Sequence, residues 1–122
     1  MARILVIDDD DQVRRMLRMM LETKGHEVLE ANNGKEGLRL HRTTHPELAI
    51  TDMLMPEMDG VELMLALRSE APQLKIIAMS GGGRYKQTEA LDVAGPLGAF
   101  ATIAKPFGFD AMLDLVTRAL AA

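Results

Sequence analysis

A doubly wound α/β fold built on a five-stranded parallel sheet follows from three observations on this 122-residue chain. Apolar runs of strand length alternate with segments whose apolar residues recur at helical spacing, the pattern of β-α units. The runs are nearly continuously apolar, as strands covered on both faces must be. Four of them also end in polar residues. Ile4-Leu5-Val6-Ile7 runs into Asp8-Asp9, and Leu48-Ala49-Ile50-Thr51 runs into Asp52. Ile76-Ile77-Ala78-Met79 runs into Ser80, and Thr102-Ile103-Ala104 runs into Lys105-Pro106.

Residues 3–7 form the first strand. Val13, Met16, Leu17, Met20 and Leu21 then mark one face of a helix, at the spacing that faces a core. Asp10 or Asp11 caps its start, and Lys24-Gly25 closes it with a cation and a glycine. His26 to Ala31 alternates enough for a second strand. Asn33 and Glu36 form a capping-box pattern opening a helix that stops before Pro46. Leu48 to Thr51 is the third strand, and Asp52 to Gly60 is a loop containing Met55-Pro56 and the turn signal Asp59-Gly60. Asp59 with Glu62 opens a helix from about Gly60 to Ser69, ended by Pro72. Residues 75–79 give a fourth strand, followed by Gly81-Gly82-Gly83 and a weaker helical segment from about Tyr85 to Ala94. A fifth strand lies near Ala99 to Ala104. The last helix shows Phe109, Met112, Leu113, Val116 and Leu120 on one face.

Five β-α units with right-handed crossovers leave few topologies. Of the common doubly wound orders, the flavodoxin-like three-layer arrangement 2-1-3-4-5 needs only five strands and suits this length. It sets strand 1 beside strand 3 and brings Asp8, Asp9 and Asp52 together at the switch point, where open parallel sheets bind ligands.

Length and composition point to one domain over residues 1–122 with a core of its own. An apolar content of 48% excludes a disordered chain, and no apolar stretch approaches a membrane span. Met1-Ala2-Arg3 leads directly into a strand rather than a signal peptide. The absence of cysteine fits a reducing cytoplasm. A net charge of −4 argues against direct nucleic-acid binding, and one tyrosine without tryptophan leaves little surface for stacking bases or a flavin.

Three carboxylates packed together repel, so such a site holds protons or recruits a cation. No His or Cys accompanies them, and all-oxygen ligation selects Mg²⁺, Mn²⁺ or Ca²⁺. Mg²⁺ typically takes one or two carboxylates together with phosphate oxygens. A carboxylate can also attack phosphorus to give an aspartyl phosphate, a reaction governed by positioning and charge neutralisation. Lys105 suits a point charge on phosphoryl oxygens, and Ser80 offers a hydroxyl donor.

Val6-Ile7-Asp8-Asp9-Asp10, Asp52 with Met55-Pro56 and Met58-Asp59-Gly60, Ser80, and Lys105-Pro106-Phe107 together resemble the receiver domain of two-component response regulators. The likeness is to a stand-alone, chemotaxis-regulator-like member and runs from residue 6 to 107. It implies that Asp52 accepts a phosphoryl group from histidine on a sensor kinase or a histidine phosphotransfer protein, and that phosphorylation switches binding to a downstream protein. It also implies Mg²⁺, with Mn²⁺ a substitute, ligated by Asp9, Asp52 and the Leu54 backbone carbonyl, with Asp8 acting largely through water. Ser80 and Lys105 would contact the phosphoryl oxygens, and the Lys105–Pro106 peptide would be cis.

One position departs from the family pattern. Three residues before the lysine, where the family's switch usually has an aromatic ring, stands Thr102, with Phe100 two residues earlier. The expectation is that Ser80 still moves toward the phosphoryl group while Gly81-Gly82-Gly83 carries the change. Leu54 and Gly82 lie two residues beyond Asp52 and Ser80, positions that in this family influence hydrolysis. Neither has a polar side chain to orient water, so slow self-dephosphorylation is expected.

Other functions fit these residues less well. A haloacid-dehalogenase-like Mg²⁺-dependent phosphatase or phosphotransferase wants a second acid two residues after its nucleophile, where this chain has Leu54. A flavin module wants a Ser/Thr-rich phosphate loop after strand 1, where this chain has four aspartates. A receiver cut from a longer regulator with a DNA-binding or enzymatic output remains, although Arg118-Ala119-Leu120-Ala121-Ala122 lacks linker composition. The His41-His45 pair has metal-ligand spacing but no further soft ligand. Met19, off its helix's apolar stripe beside Arg14, Arg15 and Arg18, and Tyr85 are either partner contacts or solvated surface.

Overall fold

The computed structural model describes residues 2–53, 55, 58–81 and 95–122. Its elements, in chain order, are β1 (Arg3–Ile7), α1 (Asp11–Thr23), β2 (Glu27–Ala31), α2 (Gly34–Thr44), β3 (Leu48–Asp52), α3 (Gly60–Glu70), β4 (Lys75–Ser80), β5 (Ala101–Ala104) and α4 (Phe109–Ala121). The expected helix at 85–94 lies outside the described residues, as do Leu54, Pro56, Gly82 and Gly83.

Short polar residues set the helix starts. The Asp10 side chain accepts hydrogen bonds from the backbone N–H of Gln12 and Val13, so Asp10 rather than Asp11 is the cap. Asn33 and Asp59 each accept from the N–H three residues on, at Glu36 and Glu62, satisfying donors that a helix start leaves orphaned. Gly25, at φ +86°, makes the turn after α1, a conformation that costs a residue with a Cβ dearly. α2 ends at His45 in the left-handed region (φ 51°), and Pro46 follows.

All strand pairs are parallel, in the order β2-β1-β3-β4-β5. Leu5, Ile7, Ala49 and Ile76 pack toward α2 and α3, against Leu38, Leu63, Met64 and Leu67. Ile4, Val6, Ile50 and Ile77 face α1 and α4. Burial on both sides is why these strands read as unbroken apolar runs.

The last helix corrects one expectation. Met112, Val116 and Ala119 are its buried residues, while Phe109 is 52% exposed. Phe109 is the helix's first residue, one turn ahead of Met112, and the core is met only from that next turn onward. Met19 is 66% exposed, as its position off the stripe of α1 predicts. No described helix is long and apolar enough to cross a membrane.

Candidate functional site

Strand register delivers the polar ends to one edge. Ile7 pairs with Thr51, Asp52 with Met79, and Ser80 with Ala104. The next residues along β1 and β5, Asp8-Asp9 and Lys105, therefore emerge beside Asp52 and Ser80, beyond the carboxyl ends of adjacent strands. Asp8 and Asp52 are buried and Asp9 is exposed, yet one ligand oxygen from each lies within 4.8 Å of the others.

Backbone and cation together hold the carboxylates. Asp8 Oδ1 accepts from the Asp10 N–H at 2.9 Å, and Asp8 Oδ2 accepts from Lys105 Nζ at 2.7 Å. The Asp8 N–H itself donates to the Ala31 carbonyl at 3.1 Å. Asp52 Oδ1 accepts from the Met53 N–H at 2.9 Å, and its Oδ2 is 3.5 Å from Lys105 Nζ. The ammonium thus stands between two carboxylates contributed by different strands.

The electrostatics follow from this crowding. Burial pushes the Asp8 carboxyl above its ordinary pKa; the Lys105 and Asp10 hydrogen bonds oppose that without cancelling it, and Asp9 adds repulsion. For Lys105, burial pulls the ammonium down, but its bonds to Asp8 and Asp52 outweigh the pull and leave its pKa raised. Lysine alone does not compensate three acids. The cluster offers only oxygen donors, which suit a hard divalent cation.

Glycine lets the strand ends approach. A Cβ at Gly81 would lie 2.5 Å from Lys105 Cβ and 2.9 Å from its carbonyl oxygen, and one at Gly60 would lie 2.6 Å from Met53 Cα and 2.8 Å from the Asp52 carbonyl. The Lys105 N–H donates to the Ser80 carbonyl at 2.6 Å, and the Lys105–Pro106 peptide is cis, matching the expectation from resemblance. Ser80 is buried at the end of β4.

The structure separates the other candidates from this edge. Thr102 is exposed on β5, paired with Ala78. Phe100 precedes β5, where its N–H donates to the Ile76 carbonyl at 2.8 Å and its ring lies 5.9 Å from Lys75 Nζ. Four strand residues from Phe100 to Ala104 amount to about 13 Å, so Phe100 does not replace the aromatic ring missing at 102. His41 and His45 meet edge to face, with ring centroids 6.4 Å apart. Among the described residues, the only group of three or more His, Cys or acidic residues with clustered ligand atoms is Asp8, Asp9 and Asp52. Leu54 lies outside the described residues.

Sequence reasoning, which reads Arg14 with Met19, Arg15 and Arg18 as either a partner contact or solvated surface, misses the contact Arg14 makes with the acidic edge. Its Nη1 donates to the Asp8 carbonyl at 2.6 Å and its Nε to Glu30 at 3.3 Å. An arginine at the fourth position of a helix leaving this edge, with a glutamate on the neighbouring strand, was the available signal.

Comparison with known proteins agrees with this geometry. The family model described as response regulator receiver domain matches residues 4–117. Regulatory protein AtoC of Escherichia coli K12 is 39% identical over 118 residues, covering 97% of this chain and 25% of that protein. The chain therefore spans about a quarter of the length of that relative. Sporulation initiation phosphotransferase F of Bacillus subtilis 168 is 29% identical over 97% of this chain and 93% of its own length. The structure of a response regulator receiver domain protein from Clostridium thermocellum superposes with a TM-score of 0.91 at 29% identity, covering 99% of this chain and 95% of that one. A shared fold, a matching family model over nearly the whole chain and an acidic edge with a lysine in register lead to one conclusion: this chain belongs to the response regulator receiver domains, the phosphoacceptor modules of two-component systems.

Proposed function

We propose that Asp52 is the phosphoacceptor and that Asp8, Asp9 and Asp52, with the Leu54 carbonyl, hold Mg²⁺ or Mn²⁺ in its place. The observation that carries this reading is the gathering of three carboxylates within 4.8 Å of one another, two of them at one ammonium, which lies 2.7 Å from Asp8 and 3.5 Å from Asp52. In the reaction, an Asp52 carboxylate oxygen forms a bond to phosphorus as the phosphorus–nitrogen bond of a phosphohistidine breaks. The imidazole leaves with the electron pair and takes up a proton from solvent. Lys105 and Ser80 face the transferring phosphoryl oxygens, where a positioned cation and a donor stabilise developing charge. When bound, the divalent cation neutralises charge on the carboxylates and the phosphoryl group.

The phosphodonor is a sensor histidine kinase or a histidine phosphotransfer protein. The chain catalyses only its own phosphorylation and dephosphorylation, as a single receiver domain over residues 1–122 whose phosphorylation alters binding to a downstream protein. It acts in the cytoplasm, with no direct contact to nucleic acid or membrane. An output domain beyond this segment is the second reading, favoured by the quarter-length match to the AtoC regulator. Incubation with acetyl phosphate tests the chemistry. Phosphoryl incorporation should require Mg²⁺ or Mn²⁺ and vanish with chelator; incorporation that persists in chelator would overturn the reading.

A further inference from the structure

We propose that Arg14 is a positioning residue for the cation cluster, acting through the Asp8–Asp9 peptide; the inference rests on the assignment of Asp8, Asp9 and Asp52 as the cation ligands. Asp8 and Asp52 are each held by a backbone N–H and by Lys105. Asp9 is different: its carboxylate is exposed and makes no hydrogen bond or ion pair among the described residues. Its aim therefore depends on the backbone that carries it.

Arg14 clamps that backbone. Its side chain, only 13% exposed, reaches back from α1 and donates Nη1–H to the Asp8 carbonyl at 2.6 Å, on the peptide that leads into Asp9. Nε donates to Glu30 Oε1 at 3.3 Å on β2, and Nη2 pairs with Asp11 at the start of α1. Three acceptors, one just after β1, one on β2 and one at the start of α1, thus orient one planar fork, a task a lysine's point charge cannot reproduce. A charge-assisted bond in a partly buried position is among the stronger kinds. Groups that orient ligands from behind typically influence metal affinity by about 10–100-fold.

Arg18 provides an internal comparison. It shares the same glutamate, with Nη1 2.7 Å from Glu30 Oε2, and also pairs with Glu22, but it does not touch Asp8. If Arg14 merely braced α1 against β2, losing either arginine would have similar consequences.

The test is a Mg²⁺ titration followed by amide chemical shifts in wild type, Arg14→Gln, Arg14→Lys, Arg18→Gln and Asp9→Asn, with acetyl-phosphate labelling as a function of Mg²⁺ alongside. Arg14→Gln should raise the Mg²⁺ Kd about tenfold or more. It should shift half-saturating Mg²⁺ for labelling by the same factor while the rate at saturating Mg²⁺ stays within about threefold. Arg14→Lys should rescue only partly and carries the test if the glutamine variant does not fold; Arg18→Gln should change the Kd less than about twofold. Arg14 variants within about twofold of wild type, or an Arg18→Gln shift as large as that of Arg14→Gln, would overturn the inference. A wild type that does not bind Mg²⁺, or Asp9→Asn binding equally well, would instead overturn the site assignment beneath it.

Discussion

Gly81→Ala is a small change that should reach the phosphorylation chemistry through the backbone. The new Cβ would sit 2.5 Å from Lys105 Cβ, 2.9 Å from its carbonyl oxygen and 3.0 Å from its Cα. Ordinary contact begins at 3.4 Å, so β4 and the Lys105 backbone must separate by nearly an ångström. The neighbouring atoms are main chain and Cβ, not the flexible end of a side chain, so they cannot simply swing aside. Overpacking of this kind costs about 1–3 kcal/mol. Stiffening of the unfolded chain returns about 0.4–1 kcal/mol at a position whose φ is not left-handed. The net expectation is a loss of about 1–2 kcal/mol, or about 4–8 °C in Tm for a domain of this size. Lys105 moves with its backbone, away from Asp8 and Asp52. Since a misplacement of about 1 Å can cost on the order of a hundredfold in rate, Mg²⁺-dependent labelling by acetyl phosphate should slow at least about tenfold. Urea unfolding and labelling rates measure both effects. Gly108→Ser is the control: a Cβ there meets nothing within 4 Å, and a serine could cap α4, which has no side-chain cap. Its stability should stay level or rise by a few tenths of a kcal/mol, with labelling unchanged. If Gly81→Ala matched wild type in both stability and rate, the close approach of β4 to Lys105 would not be what positions the ammonium.

Three further outcomes follow from the same geometry. Burial holds the folded Asp8 carboxyl above its ordinary pKa, so its ionised form weakens the metal-free fold at neutral pH. That penalty fades as pH falls through the folded pKa toward the unfolded value of about 3.9; Asp8→Asn should therefore be more stable than wild type at pH 7 without Mg²⁺ and should gain nothing from added Mg²⁺, and a variant less stable than wild type there would refute this. Burial lowers the His41 pKa, with Glu70 opposing and His45 and Arg42 reinforcing, so the stability it contributes is present above about pH 6.5 and is lost as pH falls below that value. His41→Gln should flatten that decline in urea midpoints, leaving the part due to His26, whose pKa burial also lowers; an unchanged slope would remove His41 from the account. Leu54 carries no polar group to orient water, so Leu54→Glu should shorten the acyl-phosphate lifetime, and an unchanged lifetime would count against the expectation of slow self-dephosphorylation.

Much of this architecture was legible because local and global signals agree. Continuous apolar runs mark strands covered on both faces, and the Asn33–Glu36 and Asp59–Glu62 spacings mark helix starts that the structure confirms. Strand order turned Asp8, Asp52, Ser80 and Lys105 from separate strand ends into one edge. What remained hidden depends on three-dimensional approach. Asp59-Gly60 reads as a turn and Gly81-Gly82-Gly83 as a loop, but neither pattern shows that Gly60 packs on Asp52 and Met53 or Gly81 on Lys105. Arg14 looks like an ordinary helical arginine until β2 brings Glu30 beside it. Phe109 fits the periodicity of its helix, but periodicity does not say where the core stops.

Among the clustered acids, we assign the phosphoryl group to Asp52. Treatment with acetyl phosphate and Mg²⁺, followed by peptide mapping of the acyl phosphate, compares wild type directly with Asp52→Asn. A phosphoryl group should appear on the Asp52 peptide of wild type and none on the variant, which keeps its fold. Equal labelling of both proteins, or an acyl phosphate mapped to Asp8 or Asp9 in wild type, would contradict that assignment.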